Sequence, residues 1–417
     1  MQKKFLGMAV AAALAVPAVA LAQSAVQVYG TVHLSVNSVK FGDATAPATG
    51  GTSMSKYGVS SHASNWGLRS TETLGGGMTA WLQAEFNLKM ARDNGVHDGD
   101  STARNSGLGL RGGFGNVYVG TWETPWAQTF RLWDVGTIGG WGPTTSIIGR
   151  RENTGDTPSR NCSNLQSAAG SATLATPPIC GNGAEASAVA AGTVAGYSLW
   201  RRFSYAVFYE SPVFEGVQAK FAYQPNQRKA NIGVTEDPSA WSGSLTWTGM
   251  GGRARAFIAN MNAKDWSAVG KSDSGYTAGG GYDFGVVNVG ATYEDYTYKT
   301  ATGDIKAKEW GVGAAFPMGP GKIGASYAKA KKLTGAGTDA AEALDANHTD
   351  AKMWNLGYEW ALSKRTALGF GIAKIDNSAD IGFSWTNQLP TQNGFASGVV
   401  PNGVDQTNLF VSMRHSF

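Results

Sequence analysis

Alternation between apolar and polar residues is the feature that most constrains how this chain can fold. Within residues 80–88, Ala80, Leu82, Ala84 and Phe86 alternate with Trp81 and polar residues. The same period of two returns in sixteen segments, which begin near residues 25, 65, 78, 104, 116, 202, 216, 239, 252, 275, 286, 307, 321, 353, 365 and 406. Successive side chains of a strand point to opposite faces, so the pattern predicts strands with one apolar and one polar face.

The connections between these segments alternate in length. Short turns such as Leu74–Gly77 and Pro317–Gly321 alternate along the chain with long polar connections over 37–64, 331–352 and 376–405. An even number of strands, with short turns at one rim and long loops at the other, is typical of a transmembrane β-barrel. The sequence therefore predicts an all-β protein, a transmembrane antiparallel barrel of about sixteen strands.

Charged residues on the polar face show what that face encloses. Arg69, Glu85, Glu309 and Glu359 all share the parity of the polar side chains. Unpartnered charges are costly in a packed sandwich core, whereas the wet interior of a tube accommodates them. The apolar face suits lipid. We therefore expect a water-filled pore and no conventional protein core.

The two ends of the chain fit a secreted barrel. Residues 1–22 are predicted to be a signal peptide, with two lysines, an apolar run short for a membrane-spanning helix and a final Ala-Leu-Ala; an uncleaved anchor is the alternative. The barrel should then occupy 23–417, with a lipid-facing Phe417 on a last strand that pairs with the strand near Ala25. The formal net charge of +4 is too small to indicate a nucleic-acid partner.

One connection is far longer than the others. Residues 123–199 form the third loop of the long-loop rim, and such a length is unusual for a connection. Cys162 and Cys180 both lie in it. Because a secreted chain meets an oxidising compartment, we expect these thiols to form a disulfide. Without histidines nearby, they do not indicate a metal site, and no cofactor is predicted.

Five short motifs, in order along the chain, carry a family resemblance. They are Val-Tyr-Gly at 28–30, Trp-Gly-Leu-Arg-Ser-Thr-Glu at 66–72, Gly-Gly-Phe-Gly-Asn-Val at 112–117, Tyr-Glu-Ser-Pro-Val-Phe-Glu-Gly at 209–216 and Met-Arg-His-Ser-Phe at 413–417. Together they resemble the Gram-negative general porins of the β-proteobacterial type, the group of the Neisseria, Bordetella and Burkholderia porins. The resemblance spans the whole mature chain.

This resemblance implies a homotrimer in the outer membrane, in contact with lipid and lipopolysaccharide. In that family the third loop, here 123–199, folds into each barrel and faces basic side chains on the wall, and many members prefer anions. Phe417 would be the signal read by the barrel-assembly machinery. The sequence departs from the family at Asn65 and Thr121, where many relatives have arginine. The implied anion preference is correspondingly weak.

The function expected is passive diffusion of small hydrophilic solutes and ions through a barrel that filters them electrostatically. The alternative is that the charged residues of the lumen are merely solvated and do not filter solutes. The candidate constriction residues are Arg69, Glu85, Glu123, Arg131, Asp134, Arg201, Arg202 and Arg255.

Tryptophans in the third loop allow a sharper hypothesis. Trp122, Trp126, Trp133 and Trp141 could stack on sugars or aromatic solutes, which would make a substrate-specific channel. The favoured interpretation is that they pack the loop against the wall. The chain has no H-E-x-x-H motif and no nucleophile elbow, so an enzyme is not predicted. Adhesion through external loops remains a further alternative.

Overall fold

The computed structural model describes residues 26–42, 54–88, 90, 104–149, 202–225, 239–264, 270–299, 303–335, 348–379, 381–385 and 403–417. The strands are β1 (Gln27–Phe41), β2 (Met54–Ser61), β3 (Asn65–Gly75), β4 (Met78–Asn87), β5 (Ser106–Gly112), β6 (Gly115–Glu123), β7 (Arg202–Glu210), β8 (Val217–Gln224), β9 (Ser239–Gly249), β10 (Ala254–Lys264), β11 (Ser272–Asp283), β12 (Asn288–Lys299), β13 (Asp304–Met318), β14 (Gly321–Ala330), β15 (Ala351–Ala361), β16 (Thr366–Asn377) and β17 (Gln406–Ser416). Outside the described residues lie the signal peptide, Cys162, Cys180 and Arg201. The signal peptide and the disulfide therefore stay predictions.

The described strands form one closed antiparallel ring. Apart from β2 and β3, each strand pairs with its neighbours in chain order, and β17 pairs with β1, where Val36 lies opposite Val411. β2 and β3 both pair with β1 as two parts of one wall strand, so the wall has sixteen strands. The interruption falls at residues 62–64, where Ala63 adopts a φ of 49°. The predicted sixteen-stranded barrel is confirmed.

The predicted first long loop over 37–64 is wrong. β1 continues to Phe41, and β2 begins at Met54. The reason is an inversion of the pattern near the rim: the inward-facing Val39 and Phe41 are apolar and buried, whereas the outward-facing Lys40 is charged and exposed. A prediction that requires the outward-facing residues to be apolar therefore places the end of β1 too early in the chain.

Along most of the wall, the faces are as predicted. In β13 the outward Val312 and Phe316 are exposed at the barrel surface, and Glu309 between inward glycines and alanines is buried. Phe417 is also exposed on the outside, and its backbone N–H and C=O both bond to Gly30. The last residue thus takes part in closing the ring.

The expectation that the barrel lacks a protein core is also wrong. Residues 125–149 lie inside the ring and include α1 (Pro125–Gln128), α2 (Phe130–Trp133) and a 3₁₀ turn (Pro143–Thr145). Buried Trp133, Ile138 and Ile148 pack in one cluster with Met353 and Phe410 of the wall. A segment folded into the tube can bury apolar side chains because the inner wall becomes apolar towards the long-loop rim. None of the helices described is long and apolar enough to cross a membrane.

Close backbone contact holds this inner segment to the wall. Gly290 of β12 lies directly against the carbonyl oxygen of Trp133, and a Cβ at position 290 would collide with it. At Gly324 of β14, a Cβ would meet the carbonyl oxygen of Gly136 at 2.6 Å. Inward-facing glycines therefore set how near the inner segment can approach, and how much of the tube stays open.

Replacing Gly290 with valine should narrow the channel. The new Cβ would force residues near Trp133 towards the pore axis by about 1 Å, since C···O contacts settle near 3.3–3.6 Å. We expect a lower single-channel conductance in planar bilayers. Gly113→Ala is the matched control, because a Cβ there meets nothing within 4 Å. Unchanged conductance in a folded Gly290→Val barrel would contradict this packing.

Candidate functional site

The inner segment follows the inside of the wall for more than half of the ring. At its start, the backbone N–H of Trp126 donates to Ser242 Oγ of β9 at 3.3 Å. Midway, Asn355 Nδ2 of β15 donates to the carbonyl oxygen of Ile138 at 3.4 Å. At its far end, the Trp141 ring packs edge-on against His62, with centroids 4.8 Å apart. The segment therefore lines β9 to β17, contacts β8 through Gln128, and leaves most of the inner faces of β3 to β7 towards the open lumen.

A buried carboxylate joins the beginning and the end of this segment. Glu294 Oε1 of β12 accepts the indole N–H of Trp126 at 3.1 Å. Glu294 Oε2 accepts the backbone N–H of Gly149 at 3.0 Å and the hydroxyl of Tyr296. Because Glu294 is fully buried, these donors replace the water that its charge would otherwise require.

The loop tryptophans occupy packing positions. Trp126, Trp133 and Trp141 are fully buried between the inner segment and the wall. Trp122 is half-buried at the end of β6, where its ring contacts those of Trp81 and Tyr118. Buried indoles have no free face for a solute, so this arrangement does not favour an aromatic track.

Glu123 is the centre of a charged cluster at the start of the inner segment. Its Oε2 accepts Arg131 Nη2 of α2 at 2.5 Å, and its Oε1 lies 3.4 Å from Arg202 Nη2 of β7. Asn105 Oδ1 accepts both Arg202 Nε at 3.1 Å and the Glu123 backbone N–H at 3.1 Å. Three of the predicted residues are thus in direct contact. The side chain of Glu123 is only 7% exposed, whereas that of Arg131 is 64% exposed.

A second group of predicted residues lies on the neighbouring wall. Glu85 of β4 pairs with Arg104 Nε at 2.7 Å and accepts the Tyr29 hydroxyl at 3.1 Å. Arg69 Nε donates to Gln27 Oε1 at 2.8 Å, and its guanidinium lies over the Tyr29 ring at 5.2 Å. Arg69 and Glu85 therefore belong to one polar surface across β1, β3 and β4.

Two predicted residues have different surroundings. Asp134 accepts the hydroxyls of Thr137 and Thr144, each at 2.7 Å, so it closes a turn of the inner segment. Burial raises the pKa of this carboxyl. Arg255 faces inward from β10, and its Nη2 donates to Asn288 Oδ1 at 2.6 Å. Asp134 is thus part of a turn, and Arg255 belongs to the wall across β10 and β12.

Sequence reasoning missed three charged residues of the lumen. Lys220 of β8 donates to Gln128 Oε1 at 2.6 Å and pairs with Glu210 Oε1 at 3.1 Å. The alternation of β8 puts Lys220 opposite the outward Phe221, so parity could have found it. Arg104 precedes β5 and begins one of the alternating segments, where it shares the parity of the outward Leu108 and Leu110. The sequence pattern therefore gives no indication that it pairs with Glu85.

The charges of this surface are unequal in number and in exposure. The surface comprises five cations and three carboxylates: Arg69, Arg104, Arg131, Arg202, Lys220, Glu85, Glu123 and Glu210. Each carboxylate contacts a cation, whereas Arg69 and most of Arg131 are exposed. Water in the lumen therefore meets a positively charged surface between the inner segment and the wall.

Replacing Glu294 with glutamine should loosen the inner segment. The amide oxygen can accept some of the donors of Trp126, Gly149 and Tyr296, but its NH₂ group would face the others. A buried donor left unpaired costs about 1–3 kcal/mol. We expect faster amide hydrogen exchange at Gly149, with Glu72→Gln, an exposed site near the short turns, as the control. Equal exchange in wild type and Glu294→Gln would show that Glu294 does not hold the segment.

Comparison with known proteins finds similar proteins that agree with one another in fold. A model of the Gram-negative porin family matches residues 9–380. Outer membrane porin protein 32 of Delftia acidovorans is 27% identical over 424 aligned positions, covering all of both chains. The solved anion-selective porin from Comamonas acidovorans is 25% identical with a TM-score of 0.65, covering 95% of this chain and 100% of that one. The trimer form of OmpT from Vibrio cholerae, 13% identical with a TM-score of 0.57 over 94% and 99% of the chains, supports the fold alone.

Proposed function

We propose, from the premise that this chain belongs to the Gram-negative porin family and forms an outer-membrane channel, that its lumen has a weak preference for anions. Small hydrophilic solutes and ions would cross by passive diffusion, and the protein would transport them without catalysing a reaction. The relative from Comamonas acidovorans, described as anion-selective, supports the sign of the preference.

The exposed guanidinium of Arg131 is the observation that carries this proposal. It projects from α2 while its carboxylate partner Glu123 is nearly buried. A cation exposed at a narrow, low-dielectric passage raises the local concentration of anions. The three carboxylates of the same surface offset part of this field, which accounts for a weak preference.

Removing the charge of Arg131 should reduce the anion preference. We expect Arg131→Gln to lower the anion-to-cation permeability ratio by roughly twofold or more, since a unit charge acts strongly over a few ångströms in a partly desolvated site. Arg131→Glu should shift the ratio further towards cations. Reversal potentials of the purified protein in planar bilayers under a salt gradient measure this ratio.

Lys40→Gln is the matched control for this experiment. Lys40 is an exposed cation on the outer face of β1, so its loss changes the net charge equally without altering the lumen. A reversal potential that is the same in Arg131→Gln and wild type would show that Arg131 does not contribute to ion selectivity. A wild-type channel that prefers cations would overturn the anion proposal itself.

We also propose a homotrimer, embedded in outer-membrane lipid and lipopolysaccharide. At the long-loop ends of β2 to β9, the described outward side chains are uncharged and include Tyr57, Val59 and Tyr205, which are all exposed. Such a surface can bury apolar area against another copy of the chain. The trimer form of OmpT is a precedent within the same fold.

Phe417 is proposed as the signal for the barrel-assembly machinery. Phe417→Ala should lower the amount of folded barrel in the outer membrane of expressing cells, while refolding of the purified chain in detergent should be largely retained. Met413→Ala is the control, because Met413 is another exposed apolar side chain on β17. Equal losses of both variants in cells and in detergent would indicate a packing role for Phe417 instead.

A further inference from the structure

Two tryptophans of the barrel wall present part of their surface to the lumen. Trp81 of β4 and Trp122 of β6 face inward with ring centroids 5.6 Å apart, and both rings contact that of Tyr118. Unlike the fully buried tryptophans of the inner segment, they are only partly buried, at the edge of the cluster that contains Tyr118 and Phe208. We call Trp81, Trp122 and Tyr118 the aromatic patch, which lies on the open side of the lumen.

Glycines of β5 form the wall beneath Trp81. A Cβ at position 109 would come within 2.7 Å of Trp81 Nε1, and a Cβ at Gly107 would lie 3.6 Å from Trp81 Cη2. The indole therefore lies across β5 with one face against the wall, and its N–H donates to Asn116 Oδ1 of β6 at 2.7 Å. Since the inner segment follows the opposite side of the barrel, the other face of this indole is left to the lumen.

Exposed guanidinium groups lie beyond the aromatic patch towards both rims. Trp122 directly precedes Glu123, whose carboxylate is paired with the exposed Arg131. Towards the short-turn rim, Arg111 follows two positions after Gly109 on the inner face of β5. Arg111 is exposed and has no ion-pair partner among the described residues. A negatively charged solute therefore meets a cation before and after it passes the rings.

Carboxylates on this side of the lumen do not cancel these charges. Glu210 of β7 accepts Lys220 Nζ at 3.1 Å and the Tyr118 hydroxyl at 3.4 Å, so it is already engaged. Arg111 adds one to the five cations described above, which gives six cations against three carboxylates on this surface. An anion next to the aromatic patch therefore experiences an excess of positive charge.

We propose that the aromatic patch binds aromatic carboxylates during their passage, with the solute ring against Trp81 and Trp122 and the carboxylate at Arg131 or Arg111. Contact between rings removes partly exposed indole surface from water and adds the attraction of aromatic pairs. A carboxylate next to a guanidinium gains charge-assisted hydrogen bonds. This proposal rests on the anion preference proposed above and names a solute class that the channel retains more strongly than other anions.

Block of the ionic current by three small solutes tests this proposal. Single channels of the full mature protein are recorded in planar bilayers in KCl at neutral pH, with benzoate, cyclohexanecarboxylate or benzamide added. Cyclohexanecarboxylate has the charge and approximate size of benzoate without the aromatic ring, whereas benzamide has the ring without the charge. We expect benzoate to halve the wild-type current at a concentration about threefold or more below that of either other solute, because ring and charge both contribute.

Removing one indole should weaken the discrimination between the two carboxylates. Trp81→Leu keeps an apolar side chain but removes the ring, so we expect the preference for benzoate over cyclohexanecarboxylate to fall about twofold or more. Trp122→Leu tests the same contact and takes the place of Trp81→Leu if that variant does not fold, which heat-dependent migration in gels verifies. Trp247→Leu is the matched control, since Trp247 is exposed on the outer face of β9.

Three results would overturn the proposal. Equal or absent block of wild type by benzoate and cyclohexanecarboxylate would show that the rings contribute nothing. Equal block by benzoate and benzamide would show the same for the cations, and an unchanged preference in both Trp81→Leu and Trp122→Leu would place benzoate elsewhere in the channel. Reversal potentials in KCl alone test the anion preference separately. A channel that prefers anions but does not distinguish the two carboxylates would contradict this proposal and leave the proposed function intact.

Discussion

Pairing of backbone hydrogen-bonding groups is the constraint on which the rest of this structure depends. A bilayer offers no water to an unpaired N–H or C=O, so a sheet that spans it must close. Closure here is made by β17 against β1, down to the two bonds between Phe417 and Gly30. Once the ring is closed, its outer face must be apolar and its inner face can carry the charges that hold water in the lumen.

The inner segment determines how that lumen is used. Its buried tryptophans and isoleucines form a core with the wall of β9 to β17, and Glu294 joins its two ends. The open space is thereby confined to the side where Glu123, Arg131 and Arg202 meet the polar surface of β3 to β8. Exposure then sets the sign of the field, because Arg131 meets water and Glu123 does not.

Most of the fold could be predicted from the sequence because a barrel repeats one local rule. Alternation in β4 and β13 identified their faces, and the short turns identified the rim. The prediction failed where the inner wall becomes apolar, at Val39 and Phe41, because the inner segment supplies an apolar partner that no local pattern reveals. Of the candidate site, the sequence identified Glu123, Arg131 and Arg202, and the parity of β8 could also have found Lys220; Arg104 emerged only with the tertiary structure.

The sequence by itself determined the period of two, the lipid-facing side of each strand, the order of short and long connections and the family motifs. These are properties of neighbouring residues and are independent of how distant parts meet. Only the tertiary structure decided which charges pair and which tryptophans are buried. Such contacts depend on the register between strands and on the course of one segment through the tube, and residues such as Trp126 and Glu294 are 168 positions apart in the chain.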